Sequence, residues 1–189
     1  MKKDIILCGV GGQGILSIAT VIGEAATAAG INLKQAEVHG MSQRGGDVQS
    51  NLRLSTEPVW SDLIPSGGAD IIISMEPMEA LRYTGFLNRD SVLVTSTAPF
   101  RNIPDYPDID AVIAEMDTFP KVVKDDIEKL ARENAMTRSA NMILLGMAAA
   151  HIEIISPEEL KSAIARVFAS KGAAVVESNV RAFEIGMKI

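Results

Sequence analysis

Apolar residues change period repeatedly along the first part of the chain. Residues 4–9, Asp4-Ile5-Ile6-Leu7-Cys8-Gly9, form an almost unbroken apolar run closed by glycine, the pattern of a strand buried on both faces of a parallel sheet. Over 14–29, Ile15, Ile18, Ala19, Ile22, Ala25, Ala26 and Ala29 recur at helical spacing, and Gly30 follows as a C-terminal cap. Residues 31–38 predict a second strand, so the stretch up to that point makes one β-α-β unit. A polar, glycine-rich loop without periodicity comes next. Val48, Leu52 and Leu54 then alternate with Gln49, Asn51 and Arg53, the mark of a half-exposed strand.

Further on, apolar runs predict strands at 69–75, 91–95 and 111–115, a short helix at 77–84, and a turn with a sheet edge at Glu57-Pro58-Val59-Trp60. The C-terminal part is helical. Val122, Val123, Ile127, Leu130 and Ala131 fall on one face of a charged helix, and 139–150 is apolar all round, as in a buried helix. Ser156-Pro157-Glu158-Glu159 supplies an N-cap, a proline at the first helical position and a capping-box glutamate. Leu160, Ile164, Val167 and Phe168 continue that helix, and 175–187 forms the last one. Strands alternate with helices, with neither repeat nor linker, which predicts a single α/β domain with a mostly parallel sheet.

Composition narrows the function. The chain has 189 residues, 47% of them hydrophobic, enough for a sizeable core. Lys plus Arg is 18 against 24 for Asp plus Glu, a net charge of −6 with only 4% aromatic residues. Such a surface repels phosphate backbones and anionic lipid and offers few stacking platforms, so no nucleic acid and no membrane is expected as partner. The one cysteine, Cys8, permits no internal disulfide and no four-thiolate iron–sulfur cluster; in the first strand it is expected to be a small buried hydrophobe. Structural zinc is equally disfavoured, with Cys8, His39 and His151 the available Cys and His. Lys2 and Lys3 precede an apolar run, but Asp4 and the glycines break any leader pattern. The apolar stretch 140–150 falls short of the about 20 residues that a membrane span needs. A cytoplasmic protein is expected.

Gly9-Val10-Gly11-Gly12-Gln13-Gly14 fits G-x-G-x-x-G between a strand and a helix. Glycines there permit a tight turn and close backbone approach, and the helix start offers N–H groups to an anion. Glu37 ends the second strand, where a ribose-binding acid would sit in a dinucleotide enzyme. The motif is open to several readings: an NAD-binding Rossmann-type enzyme, a nucleotide-sensing module, a tight strand–helix turn that binds nothing, or an anion site used for another purpose. Hydride transfer needs a general acid or base. His39 opens the polar loop at the carboxyl end of a strand and suits positioning rather than catalysis, whereas His151, at the end of the buried helix, suits a structural role. Arg44-Gly45-Gly46 places a forked cation on a backbone able to approach another surface, next to the glycine turn in the inferred sheet. That juxtaposition favours a shared anion or interface site. Trp60 and the strand 48–54 are candidate interface elements, with cover for the core edge as the other role for Trp60.

The glycine turn, the loop His39-Gly40-Met41-Ser42-Gln43-Arg44-Gly45-Gly46, and the later Asn141…Gly146 and Asn179…Phe183…Gly186 together resemble the gamma-type domain of 2-oxoacid:ferredoxin oxidoreductases. The likeness runs nearly end to end, and the loop is most similar to that of the indolepyruvate-type members. The resemblance implies a three-layer, Rossmann-like single domain over 1–189. It implies a non-catalytic subunit whose larger partner carries thiamine diphosphate, magnesium and iron–sulfur clusters, oxidatively decarboxylates arylpyruvates and passes electrons to ferredoxin. Coenzyme A phosphates or a partner carboxylate would then meet a shared site made of Gly9, Gly11, Gly12, Gln13, Gly14, Glu37, His39, Arg44, Gly45 and Gly46. Gly45-Gly46-Asp47 lacks the pattern and the downstream asparagine of a thiamine diphosphate motif, and the family does not use the glycine turn for NAD. The isolated chain is expected to be inactive and able to form a homodimer.

Overall fold

The computed structural model describes residues 1–39, 45–101 and 103–189; His39 is described in its backbone alone. A six-stranded sheet in the order β2-β3-β1-β4-β5-β6 forms the middle of the molecule. The strands are β1 (Lys2–Val10), β2 (Asn32–His39), β3 (Asp47–Ser55), β4 (Ala69–Ser74), β5 (Leu87–Ser96) and β6 (Val122–Asp125). β1, β4, β5 and β6 run parallel, and β3 is antiparallel to both its neighbours, β1 and β2. The glycine-rich loop therefore joins a hairpin, whose return strand β3 inserts between β1 and β2. The expected β-α-β unit keeps its strand directions but not its adjacency.

β1, β4 and β5 lie inside the sheet, and their continuous apolar runs serve two faces. Ile5, Leu7, Ile71, Ile73 and Val94 face the larger core, shared with α1 (Ile15–Ala28), α5 (Ala140–Ile152), α6 (Pro157–Phe168) and α7 (Ala173–Gly186). Ile6, Cys8, Ile72 and Leu93 face a smaller core under α2 (Pro77–Arg82) and α3 (Ile109–Met116). Helices, sheet and helices make the three layers of an α/β domain. α4 (Ile127–Glu133) completes the α-helices among the described residues.

Two expected elements are corrected. Residues 111–115 are not a strand; they lie in α3. Asp108 caps that helix by accepting from the amides of Asp110 and Ala111, and the buried Val112 and Met116 fall at helical spacing. The charged helix expected over 122–131 is instead a strand followed by a helix. Val122 to Asp125 pair in parallel with Leu93 to Ser96. Asp126 then accepts from the Lys129 amide and starts α4.

Asn141…Gly146 and Asn179…Phe183…Gly186 mark a helix crossing. A side chain at Gly146 would collide with the Phe183 carbonyl, and one at Gly186 with the Ile143 carbonyl. The two glycines let α5 and α7 touch backbone to backbone, which puts the starts of both helices beside the glycine turn.

Candidate functional site

The glycine turn is built from the backbone outward. Gln13 braces it: its side-chain oxygen accepts from the Val10 amide at 2.7 Å and its side-chain nitrogen donates to the Met75 carbonyl at 3.3 Å. Gly14 sits at φ 82, and a Cβ there would lie 2.6 Å from Asn141 Nδ2. Asn141 uses that nitrogen to donate to the Gly14 carbonyl at 3.0 Å, tying α1 to α5. The Gly11 amide donates to the Gly46 carbonyl at 2.8 Å and Gly11 accepts from the Gly45 amide at 3.3 Å. The β1–β3 ladder is thus prolonged into the turn, which is laced to the base of the glycine-rich loop.

These residues form one wall of a cavity of about 970 Å³. Gly11, Gly12, Gln13, Gly14 and Gly45 line it from one side, with Arg138 to Asn141, Phe168, Lys171 and Asn179 from the helical side, and Phe100 is also on the lining. Three helices begin here. α1, α5 and α7 have as N-caps Gly14, Ser139 and Gly172, and none has a side-chain cap hydrogen bond. The other α-helices among the described residues are capped by Glu76, Asp108, Asp126 and Ser156. Uncapped starts leave N–H donors and the positive ends of helix dipoles directed at the cavity. Arg138 and Lys171 reinforce them, and among the described residues neither is in an ion pair; Lys171 lies over the Phe168 ring at 5.3 Å. Glu128 is the carboxylate on the lining. The arrangement suits an elongated ligand with several anionic groups and an apolar or planar part.

Not every expected site residue is gathered here. Gly9 lies within β1 opposite Val48, and Gly46 contributes its carbonyl to the turn without lining the cavity. Glu37 lies on β2, two strands from β1, where it accepts from the Gln35 side chain; it is absent from the lining. A ribose-binding acid has to stand beside the glycine turn, and the inserted β3 prevents that. His39 ends β2 opposite Val48, with its side chain undescribed. Arg44, like Gly40 to Gln43, lies outside the described residues. Cys8 is buried, its Sγ donates to the Glu79 carbonyl at 3.6 Å, and burial pushes its thiol up to about 12, so it remains an unreactive thiol.

Arg138 and Lys171 were not anticipated as site residues. A faint signal exists: each lies one residue before the N-cap of an α-helix, close to where cations are disfavoured by about 0.3–1 kcal/mol.

A sequence profile of the pyruvate ferredoxin/flavodoxin oxidoreductase family matches residues 4–189. Among curated proteins, the indolepyruvate oxidoreductase subunit IorB of Thermococcus kodakarensis is 37% identical over 100% of this chain and 96% of its own length. The IorB of Archaeoglobus fulgidus is 34% identical over 98% and 94%. Among solved structures, the gamma subunit of a keto/oxoacid ferredoxin oxidoreductase from Geobacter sulfurreducens superposes with a TM-score of 0.71 at 23% identity, over 98% of this chain and 96% of that one. A 2-oxoglutarate:ferredoxin oxidoreductase from Magnetococcus marinus, solved with 2-oxoglutarate, coenzyme A and succinyl-CoA bound, superposes with a TM-score of 0.75 at 22% identity, over 99% of this chain and 30% of that one.

Proposed function

Because the chain belongs to the pyruvate ferredoxin/flavodoxin oxidoreductase family, we propose that it is the small, non-catalytic subunit of a 2-oxoacid:ferredoxin oxidoreductase. Its 2-oxoacid is indolepyruvate or another arylpyruvate, in keeping with the relatives named for indolepyruvate. A larger partner holds thiamine diphosphate, magnesium and the iron–sulfur clusters, which supply the decarboxylation and electron-transfer chemistry, and ferredoxin receives the electrons through the complex.

The role of this chain is to complete a coenzyme A site on the partner. One observation carries that role: three uncapped helix starts and the cations Arg138 and Lys171 converge on the same cavity. Helix N-termini bind phosphate through N–H donors and dipole together. Arg138 adds a planar fork and Lys171 a mobile point charge. The braced turn at Gly12 to Gly14 brings its backbone close without a side chain in the way. These residues bind and orient the phosphate-bearing part of the cofactor, while the reacting thiol end extends towards the partner.

The test is reconstitution. The purified chain should show no visible cluster absorbance and no arylpyruvate oxidation by itself, and both should arise when it is co-expressed with a cysteine-rich large subunit. Coenzyme A should bind the complex more tightly than its 3′-dephospho form, read by calorimetric titration. Ferredoxin reduction by the isolated chain, or equal affinity of the wild-type complex for both forms, would overturn the proposal.

A further inference from the structure

Glu76 stands at the carboxyl end of β4, next to Met75, which lines the cavity, and is 1% exposed. No cation lies within ion-pair distance of it among the described residues. A buried carboxylate without a counter-ion is costly unless hydrogen bonds replace its water. Oε2 accepts from the Glu79 amide at 2.8 Å, which is the N-cap of α2. Oε1 has a separate task. It accepts from the Phe100 amide at 3.3 Å and from the Tyr106 hydroxyl, residues 24 and 30 positions further along the chain. Ser74 Oγ donates to the Glu76 carbonyl at 2.7 Å and accepts from its amide at 3.2 Å, fixing the backbone from which the carboxylate reaches.

A capping residue needs one oxygen. Asp108 and Asp126 perform that task from exposed or half-buried positions, each through a single carboxylate oxygen. The second oxygen of Glu76 holds the segment that presents Phe100. Phe100 is 44% exposed yet lines the cavity, in a chain with few aromatic side chains. Tyr106 is held from its other side as well, with the Arg101 guanidinium 5.4 Å from its ring centroid. Burial, followed by the Glu76 hydrogen bond, pushes the Tyr106 hydroxyl well above its ordinary range, so it stays a donor.

We infer that Glu76 is a positioning residue of this cavity: through Oε1 it fixes Phe100 as an aromatic part of the wall, against which the apolar or planar part of the ligand packs. The inference rests on the cofactor-site reading above and assigns within it a residue that touches no ligand.

Two measurements separate the inference from that reading. In the full-length chain alone, Tyr106→Phe should speed amide exchange at Phe100 by about three- to tenfold, the effect of losing one hydrogen bond, while α2 keeps its protection. Unchanged exchange overturns the inference whatever the cofactor is. In the reconstituted complex, Glu76→Gln should raise KM for coenzyme A by about three- to tenfold with kcat within about twofold, because one amide hydrogen would now face an N–H donor. Phe100→Ala should do the same, and the Glu76→Gln/Phe100→Ala double variant should be no worse than Phe100→Ala. Additive losses, or a fall in kcat alone, overturn it. If Glu76→Gln fails to fold, Tyr106→Phe carries the same KM test with the cap intact. A wild-type complex that oxidises no 2-oxoacid overturns the functional reading and leaves the exchange result to decide the coupling of Glu76 to Phe100.

Discussion

At the amino end of the parallel strands, Asp4 is fully buried and receives Arg53 through both carboxylate oxygens, at 2.9 and 3.1 Å, and Lys2 at 2.8 Å. Arg53 turns its remaining nitrogen to the carbonyls of Ser61 and Leu63, and Lys3 reaches Glu153. At the carboxyl end, α1, α5 and α7 start without side-chain caps, and Arg138 and Lys171 face the same cavity without an ion pair among the described residues. One end spends its polar groups on itself and the other leaves them available. The difference teaches where to look for function: a charge already satisfied by the fold maintains the fold, and a donor set left open has a ligand to meet.

Breaking the closed end should cost the most stability and leave the open end alone. Asp4→Ala strands Arg53 beside the core and should lower stability by about 3–5 kcal/mol. At roughly 2–4 °C per kcal/mol for a domain of this size, calorimetry should record a fall of about 6–20 °C. Asp4→Ala with Arg53→Leu should recover part of the loss, since removing both partners leaves no orphaned charge. A fall as large in the double variant would mean that the loop carrying Ser61 and Leu63 matters more than the pair.

Gly14→Val strikes where the two regions meet the core. The residue needs φ 82, and its Cβ would press on Asn141. Strain and overpacking should cost about 2–4 kcal/mol and loosen the tie between α1 and α5. Chemical denaturation measures the first effect, and coenzyme A titration of the complex the second. Stability unaffected by the substitution would show that the turn tolerates a side chain and is not shaped by close approach.

The contrast between the two ends was only half legible in the sequence. β1 and β4 announce themselves because strands buried on both faces need uninterrupted apolar runs, and α6 because its capping box is local. The mistaken reading at 122–125 has a non-local cause. β6 has four half-buried residues whose pairing with β5 decides their state, and nothing within the segment itself separates them from the helix that follows. The glycine turn was legible for the opposite reason: backbone chemistry writes itself into consecutive residues. Its opposite wall was not, because Arg138 and Lys171 reach it through the packing of α5 against α7, over a hundred positions from Gly11. Glu37 was placed by analogy with a sheet in which the second strand borders the first, and the inserted β3 removes that adjacency.

Emptying the open end of its cations should have the reverse signature to Asp4→Ala. Arg138→Ala and Lys171→Ala remove exposed side chains without ion-pair partners, so melting should stay within the change that about 0.5 kcal/mol produces. Affinity of the complex for coenzyme A should fall about ten- to a hundredfold, as for a charge-assisted bond of about 1.5–3 kcal/mol. Arg138→Lys should restore only part, lacking the planar fork. A drop in melting temperature with affinity intact would move both residues to the structural side of the comparison.

The smallest expected effect lies at the closed end and depends on pH. His151 is half-buried near the end of α5, and its pKa is lowered from the ordinary 6.5, first by desolvation and then by Lys3 and Lys121, against the pull of Glu153. The unfolded chain therefore binds a proton at a higher pH than the folded one. Between about 6.5 and the lowered folded value, the unfolded state holds more protons, so stability falls as the solution is acidified. Glu153 acts in the same direction but in a lower window: its hydrogen bond to Lys3 holds its carboxyl below 4.5, and that contribution is lost only as pH drops through the folded value. His151→Gln removes the upper window and keeps the lower one. As the pH falls from 7 through the lowered folded value of His151, the wild-type melting temperature should therefore decline more than that of His151→Gln, and below that value the two curves should run parallel. Parallel curves throughout would mean that His151 is solvated well enough to titrate as it does in the unfolded chain, and that this end of the sheet is less closed than its ion pairs suggest.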